Sequence, residues 1–343
     1  MNLAPNSEES PASWQDIDAS SLSPYAQSIV AKIQRAGIFA KTDKFDQHFL
    51  IDQDAIRTIA DAAGITPGDS VLEIGPGPGN LTEEIWRICR ETRVSFSTVE
   101  LDAAFRSLLE ELPESQLIRM VWGNAIGVLP EIAKEQGVNK IVANIPYSIL
   151  EPLLQQIHTS KSIQSAVLLV GKRYAERAVA DFRDENPKGE RFSKTSLFSQ
   201  ARFVPEIVTE VPRESFIPQP RTESAVVRLN SRKGKNMNLF TVANLLIQKP
   251  TMRVRALLQN VLQQGFDKSK LRQIQSAEDA VEMQGVVPPR IDQLGFPDTL
   301  LNASLGSLTN DQLQSLLLKL DFLSKKGRRD RYIGNIEDCD DEQ

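Results

Sequence analysis

The stretch VANIPYSIL, Val142 to Leu150, sets an amide, a proline and a tyrosine where a short apolar run stops. Asn144, Pro146 and Tyr147 together suit chemistry on the exocyclic amine of a nucleobase. Such an amine is a weak nucleophile because its lone pair is delocalised into the ring. It improves when acceptors hold both hydrogens and favour a more tetrahedral nitrogen. The side-chain carbonyl of Asn144 and the backbone carbonyl of Ile145 or Pro146 can be those acceptors, with Pro146 fixing the local geometry. Tyr147 offers a flat face to a base turned out of its stack. No general base is needed, since the proton can leave after the nitrogen has become cationic, and catalysis is then alignment and electrostatics. By itself Asn-x-Pro is a common turn, so the reading depends on what else the chain carries.

A second constellation, VLEIGPGPGNLTEEI, places Gly75, Gly77 and Gly79 between a β-branched run and a helical pattern. Glycines at a strand-to-helix turn let the backbone approach a ligand at the carboxyl edge of a sheet. The GxGxG spacing, with Glu73 two residues before the first glycine, differs from the GxGxxG that seats a pyrophosphate. It suits S-adenosylmethionine, whose methionine end carries no phosphate. Glu100 closes the next apolar run, 21 residues after Gly79, where a carboxylate can take both ribose hydroxyls. GNA follows the third run, and the Asn124 amide there can bond the adenine edge, although Asn after Gly is also ordinary turn chemistry. Each feature alone is weak; in this order, inside one βαβ pattern, they point to a methyltransferase.

The elements that must hold these residues are short β-branched runs alternating with helical patterns. The runs are Ser70 to Gly75, Arg93 to Leu101, Gln116 to Gly123, Lys140 to Ile145 and Ser165 to Val170. LTEEIWRICRE and AAFRSLLEEL lie between them with helical periodicity. Strand, helix, strand at this spacing predicts an α/β fold with a mostly parallel sheet and right-handed crossovers. QARFVPEIV and SAVVRLN can close the sheet as a hairpin. From about Gly234 the periodicity is helical, and Thr309 with Gln312 forms a capping box ahead of the last amphipathic run. The expected division is a disordered or weakly ordered extension over 1–37, a Rossmann-like domain over 38–232, a small helical RNA-binding domain over 233–324 and a charged tail over 325–343.

Bulk properties fit that plan. At 343 residues the chain exceeds the usual size of one hydrophobic core, and 41% hydrophobic with 25% charged residues is an ordinary globular balance. No apolar run nears the roughly 20 residues needed to span a bilayer, and the polar, acidic start is unlike a signal peptide. The expectation is a cytoplasmic protein with no membrane partner. Two cysteines far apart and two histidines argue against a metal site or a disulfide framework. The net charge of −5 is unevenly spread: Glu210 to Gln275 carries 12 Lys and Arg against 4 Asp and Glu, a local balance of +8. That asymmetry suits a polyanion-binding face on an acidic body. Arg221, Arg228, Lys249, Arg253 and Arg255 are the candidate phosphate contacts.

These motifs together resemble the ribosomal RNA adenine dimethyltransferases of the small subunit and their relatives that methylate large-subunit rRNA. The resemblance runs from about Phe45 to Leu320 and is carried by DQHFLID, VLEIGPGPGNLT, Glu100, GNA, NIPYSI and the long VPRESFIPQPRTESAVVRL. It implies a class I methyltransferase fold with a small C-terminal helical domain, S-adenosylmethionine as cofactor and N6-dimethylation of adenosines in small-subunit rRNA or a pre-ribosomal small subunit, by a monomer. It also implies cofactor contacts at Gln47, His48, Leu50, Gly75, Gly77, Gly79, Glu100, Asn124 and Asn144, with Asn144, Pro146 and Tyr147 at the target amine. Two departures stand out: Asn124 where the family has Asp, and Gly171 to Arg173 where it reads Q-K-E. A weakly active rRNA-binding assembly factor and a large-subunit rRNA methyltransferase are the competing readings; the long SFIPQPRTESAVV segment counts against the latter.

Overall fold

A computed structural model of the chain describes residues 19–38, 47–146, 149–184, 190–232, 237–263 and 295–321. Within these, two compact units separate: Met1–Val179 with Phe198–Gly234, and Ala180–Leu197 with Lys235–Gln343.

The first unit is built on a seven-stranded sheet of order β4-β3-β2-β5-β6-β9-β7. Its strands are β2 (Ser70–Ile74), β3 (Ser95–Glu100), β4 (Arg119–Trp122), β5 (Lys140–Asn144), β6 (Ser165–Gly171), β7 (Phe203–Val211) and β9 (Ser224–Ser231). The first five run parallel, while β9 is inserted antiparallel between β6 and β7. β2, fully buried, reads as an unbroken apolar run apart from Ser70 and Glu73, as a central parallel strand covered on both faces should. Strand order reverses between β2 and β5, which places the crevice for a ligand at their carboxyl ends. Helices α3 (Asn80–Thr92), α5 (Ala125–Gln136) and α6 (Leu150–Thr159) provide crossovers, and α7 (Lys172–Val179) and α8 (Lys194–Arg202) lie between β6 and β7 in the chain. The end of α6 is held by Arg202, whose guanidinium donates to the carbonyls of Ile157 (3.0 Å), His158 (2.7 Å) and Ser160 (2.8 Å).

Two elements were not foreseen. Pro24–Arg35 is a helix, α1, although 1–37 reads as an extension; residues 1–18 of that extension lie outside the described residues. The physical reason is local: Ser23 caps it by accepting the Ala26 N–H (3.2 Å), Pro24 opens it, and Ala26, Ile29, Val30 and Ile33 form a buried stripe. That stripe packs into a core with Phe49, Ile51, Phe105 and Leu109. The second element is a two-stranded ribbon, β1 (Phe49–Leu50) with β8 (Phe216–Ile217), antiparallel, with Phe49 opposite Ile217. It joins the DQHFLID and SFIPQP motifs, and the Ile51 N–H to Ser215 O (2.8 Å) and Ser215 Oγ to Asp52 Oδ2 (2.8 Å) bonds lock it. After β1 comes α2 (Gln53–Ala62), capped by Asp52. AAFRSLLEEL becomes a 3-10 turn at Ala103–Phe105 followed by only a short helix, α4 (Arg106–Glu110).

The second unit is helical. It contains α9 (Met237–Gln248), α10 (Val254–Gln263), α11 (Asp298–Asn302) and a helix over 310–321. The capping box is present: the Thr309 N–H donates to Gln312 Oε1 (3.0 Å) and the Gln312 N–H to Thr309 Oγ1 (3.2 Å). Ala180–Leu197 groups with this unit rather than with the chain around it, because Gln314 Nε2 donates to the carbonyls of Phe182 (3.1 Å) and Asp184 (2.9 Å) and Arg183 pairs with Asp321 (3.2 Å). A single boundary at 233 does not anticipate that detour. The charged tail over 325–343 lies outside the described residues. No helix among the described residues is long and apolar enough to cross a membrane.

Candidate active site

The carboxyl ends of β2, β3 and β5, the start of α3 and the β1–β8 ribbon surround a cavity of about 410 Å3. Gln47, His48, Leu50, Gly75, Gly77, Glu100, Asn124, Asn144 and Pro146 line it. Gly79 does not. It caps α3 in a left-handed conformation (φ 90°), and a Cβ there would meet Leu112 at 3.1 Å and Leu109 at 3.3 Å. Its need is therefore backbone freedom and close packing of the helix start. Gly75 (φ 72°) brings the turn against the end of β5, where a Cβ would stand 3.4 Å from Asn144 O. Tyr147 lies outside the described residues.

Glu100 is buried and held by the backbone. Its Oε2 accepts the Gly77 N–H (3.0 Å) and its Oε1 the Asp102 N–H (2.8 Å). Burial raises its pKa above the usual carboxylate value, and backbone donors at Asp102, Gly77 and Leu101 pull it partly back. Each carboxylate oxygen has a second lone-pair site, so the carboxylate can still receive hydroxyls from a ligand. His48 Nδ1 lies 2.8 Å from Pro218 O, which ties the ring to the opposite strand of the ribbon. Asn124 caps α5, its Oδ1 accepting the Ile126 N–H (3.0 Å). Its carboxamide also carries an Nδ2 donor, which an aspartate would lack.

Asn144 ends β5, half-buried, and nothing among the described residues hydrogen-bonds its carboxamide. Pro146 O already accepts the Ile149 N–H (3.3 Å). Ile149, Leu169, Val170, Phe216 and Pro220 make the wall beyond Asn144 largely apolar.

Glu73, Asn80 and Asp102 are among the lining residues outside the expected contacts. Asn80 donates to Leu50 O (2.8 Å), anchoring the ribbon to α3. Their signals were present as neighbours, Asn80 directly after the glycine turn and Asp102 two residues past Glu100. The five expected phosphate contacts divide between the units. Arg221 and Arg228 belong to the first; Lys249, Arg253 and Arg255 belong to the second. Arg228 pairs with Glu206 (2.8 Å) and Arg255 with Asp298 (3.3 Å), while Arg221, Lys249 and Arg253 are exposed. Residues 264–275 of the basic segment lie outside the described residues.

The family model for ribosomal RNA adenine dimethylase matches residues 38–287. The chain belongs to that family. Among curated relatives of the dimethylase, the ribosomal RNA small subunit methyltransferase A of Geobacillus thermodenitrificans is 31% identical over 286 residues, 79% of this chain and 91% of the relative. The protein of the same name from Deinococcus radiodurans is 34% identical over 206 residues, 60% of this chain and 67% of the relative. A dimethyladenosine transferase from Plasmodium falciparum is similar in structure at 25% identity and a TM-score of 0.48, over 82% of this chain and 98% of the other.

Membership of the dimethylase family implies S-adenosylmethionine as methyl donor, and the cavity fits it. Besides Glu73, three lining residues carry a buried acceptor oxygen without a partner among the described residues: Gln47 Oε1, Asn80 Oδ1 and Asp102 Oδ2. An orphaned buried acceptor costs on the order of 1–3 kcal/mol. A set made of acceptors alone awaits a ligand rich in donors and positive charge. An ammonium, a sulfonium and two ribose hydroxyls answer that description.

Proposed function

We propose that this chain transfers methyl groups to N6 of adenosines in small-subunit rRNA, twice per base, as a monomer acting on a pre-ribosomal small subunit in the cytoplasm. The observation that carries the reading is the position of Asn144 and Pro146: the first ends β5, the second follows it, and both line the same cavity as Glu100 and the glycine turn. The donor, when bound, supplies an electrophilic methyl group. The chain's own work is to hold and orient. Glu100 and Asn124 hold the nucleoside end, the first by accepting hydroxyls and the second by donating Nδ2 to a ring nitrogen. Asn144 Oδ1 accepts one hydrogen of the target amine. Pro146 O accepts from Ile149 at 3.3 Å but keeps a second lone-pair site, so the carbonyl of Ile145 or of Pro146 is the second acceptor. The apolar wall of Leu169, Val170 and Phe216 excludes water from the amine, which strengthens those hydrogen bonds. A base must leave its stack to reach such a site.

Exposed Lys249 and Arg253 flank the turn between α9 and α10, and Arg221 follows Pro220 at the cavity. These positions support contacts to phosphates, which set register while the flipped base gives specificity. The test is incubation with labelled S-adenosylmethionine and separated small and large subunits, followed by mass spectrometry of the modified bases. Dimethyladenosine confined to the small subunit is expected; label in the large subunit alone would refute the substrate.

A further inference from the structure

Glu73 is 1% exposed, at the middle of the sheet, yet it borders the cavity beneath the glycine turn. Its strand neighbours are Thr98 on β3 and Val142 on β5, neither charged. From α3 it meets Thr82 and the Cys89 thiol, itself pushed up to about 12 by burial first and then by Glu73 and Asp69. The remaining ionisable group that acts on it is Glu100, of the same sign. Burial, with a smaller contribution from Glu100, raises the Glu73 carboxyl to about 8, and the Thr82 hydroxyl draws it only part of the way back. Among the described residues neither Glu73 Oε2 nor Thr82 Oγ1 has a partner at full hydrogen-bonding geometry. Among the described residues the neighbourhood therefore holds a carboxylic acid with no cation to ionise it, bordering the cavity assigned to the donor.

We propose that Glu73 reads the charge of the ligand: it is a neutral acid in the ligand-free cavity, gives its proton to solvent when the sulfonium donor binds, and keeps it when the neutral thioether product takes the donor's place. The donor and the product differ by one methyl group and one positive charge. Size alone discriminates such a pair weakly, since a methyl group in a pocket is worth only about 1–3 kcal/mol. A carboxylate that forms only opposite the sulfonium adds attraction to the donor and withdraws it once the methyl group has left. The O–H bond of Glu73 breaks on binding, the proton passes to water, and no other reactant is consumed. On transfer the sulfur loses its charge, Glu73 takes a proton back from solvent, and the product is released more readily. The inference rests on the cofactor assignment of the cavity.

The experiment is isothermal titration calorimetry of the full chain at pH 7 in buffers of different ionisation enthalpy, with S-adenosylmethionine and S-adenosylhomocysteine as probes. Wild type is compared with Glu73→Gln, which mimics the protonated acid. Protons exchanged by the ligand's own amine are common to both proteins and cancel in the difference. Expected is a release of close to one extra proton by wild type with the donor and none with the product. Donor affinity of wild type relative to the variant should rise about tenfold or more between pH 6 and 8, while product affinity stays level. Binding of the donor with no extra proton, or equal release with both ligands, overturns the proposal and leaves the cofactor assignment standing. Failure of both ligands to bind wild type overturns the cofactor assignment and the proposal with it. A second readout guards against a misfolded variant. Because the folded-state pKa of Glu73 is raised, its contribution to stability is full below the unfolded value and is lost as pH rises toward 8. Ligand-free wild type should thus lose stability from pH 5 to 8, and a flat profile would also overturn the proposal.

Discussion

Substituting Glu100 by Gln keeps the shape of the side chain and removes its charge and its ability to accept at both ends. In the folded protein each oxygen takes a backbone N–H, Gly77 at 3.0 Å and Asp102 at 2.8 Å. An amide can satisfy one of them. The other N–H then faces an NH2 group in a site only 6% exposed. Leaving one buried donor unsatisfied costs about 1–3 kcal/mol. Unfolding of the ligand-free variant in urea should therefore show a loss of that size, in addition to any effect on binding. Calorimetry with S-adenosylmethionine should show a further weakening of about 5- to 150-fold, since the hydroxyls lose a charged acceptor and the glycine turn its tether. A variant as stable as wild type in the absence of ligand would refute the account of Glu100 as the clamp on the turn. Unchanged affinity in a folded variant would remove it from the binding site altogether.

Asn144→Ala should abolish methyl transfer while leaving cofactor affinity within a few fold, because its proposed partner is the target amine; near-normal turnover in single-turnover assays with subunits would sink that mechanism. Gly79→Ala should cost about 1–3 kcal/mol in thermal or urea unfolding, combining left-handed strain with overpacking against Leu109 and Leu112, and a stability within 0.5 kcal/mol of wild type, taken as the size of an ordinary surface change, would contradict the packing role. Reversing the charge at Arg253 and Arg255 together should weaken subunit binding and reduce the slope of log affinity on log salt by about 0.7 to 0.9 for each true phosphate contact. The variant breaks the exposed ion pair of Arg255 with Asp298, a kind of contact worth no more than about 1 kcal/mol; an unaltered salt slope ends the phosphate role of both residues.

The parallel part of the sheet was legible because each strand is a short β-branched run between helical patterns, and periodicity needs no partner to be visible. Ser70–Ile74 and Lys140–Asn144 lie inside the runs read from sequence. The glycine turn, Glu100 and Asn144 were legible as a constellation because strand ends in such a sheet converge on one edge. What stayed hidden was non-local or two-sided. The β1–β8 ribbon is two residues per strand and exists only through pairing across about half of the chain, so nothing in either segment's own pattern announces it. Asn124 has a local capping role and a place on the cavity at once, and no spacing rule separates them. Gly79 sits in the motif with Gly75 and Gly77, but only the positions of Leu109 and Leu112 show that its work is packing. The helix at Pro24–Arg35 was legible in principle, from Ser23-Pro24 and its apolar stripe, and was obscured by the polar residues before it.

The ribbon has a consequence for the order in which the protein is made. His48 and Pro218, which meet across it, are 170 residues apart. During synthesis the glycine turn, Glu100 and Asn144 all emerge long before Phe216 does. A nascent chain can thus assemble most of the parallel sheet while its cofactor chamber still lacks a wall, and it gains no stabilisation from ligand until β8 arrives and pairs with β1. Loop closure over that separation favours late pairing. Stabilisation by ligand is therefore confined to chains synthesised past Phe216, when β8 can pair with β1 and close the chamber.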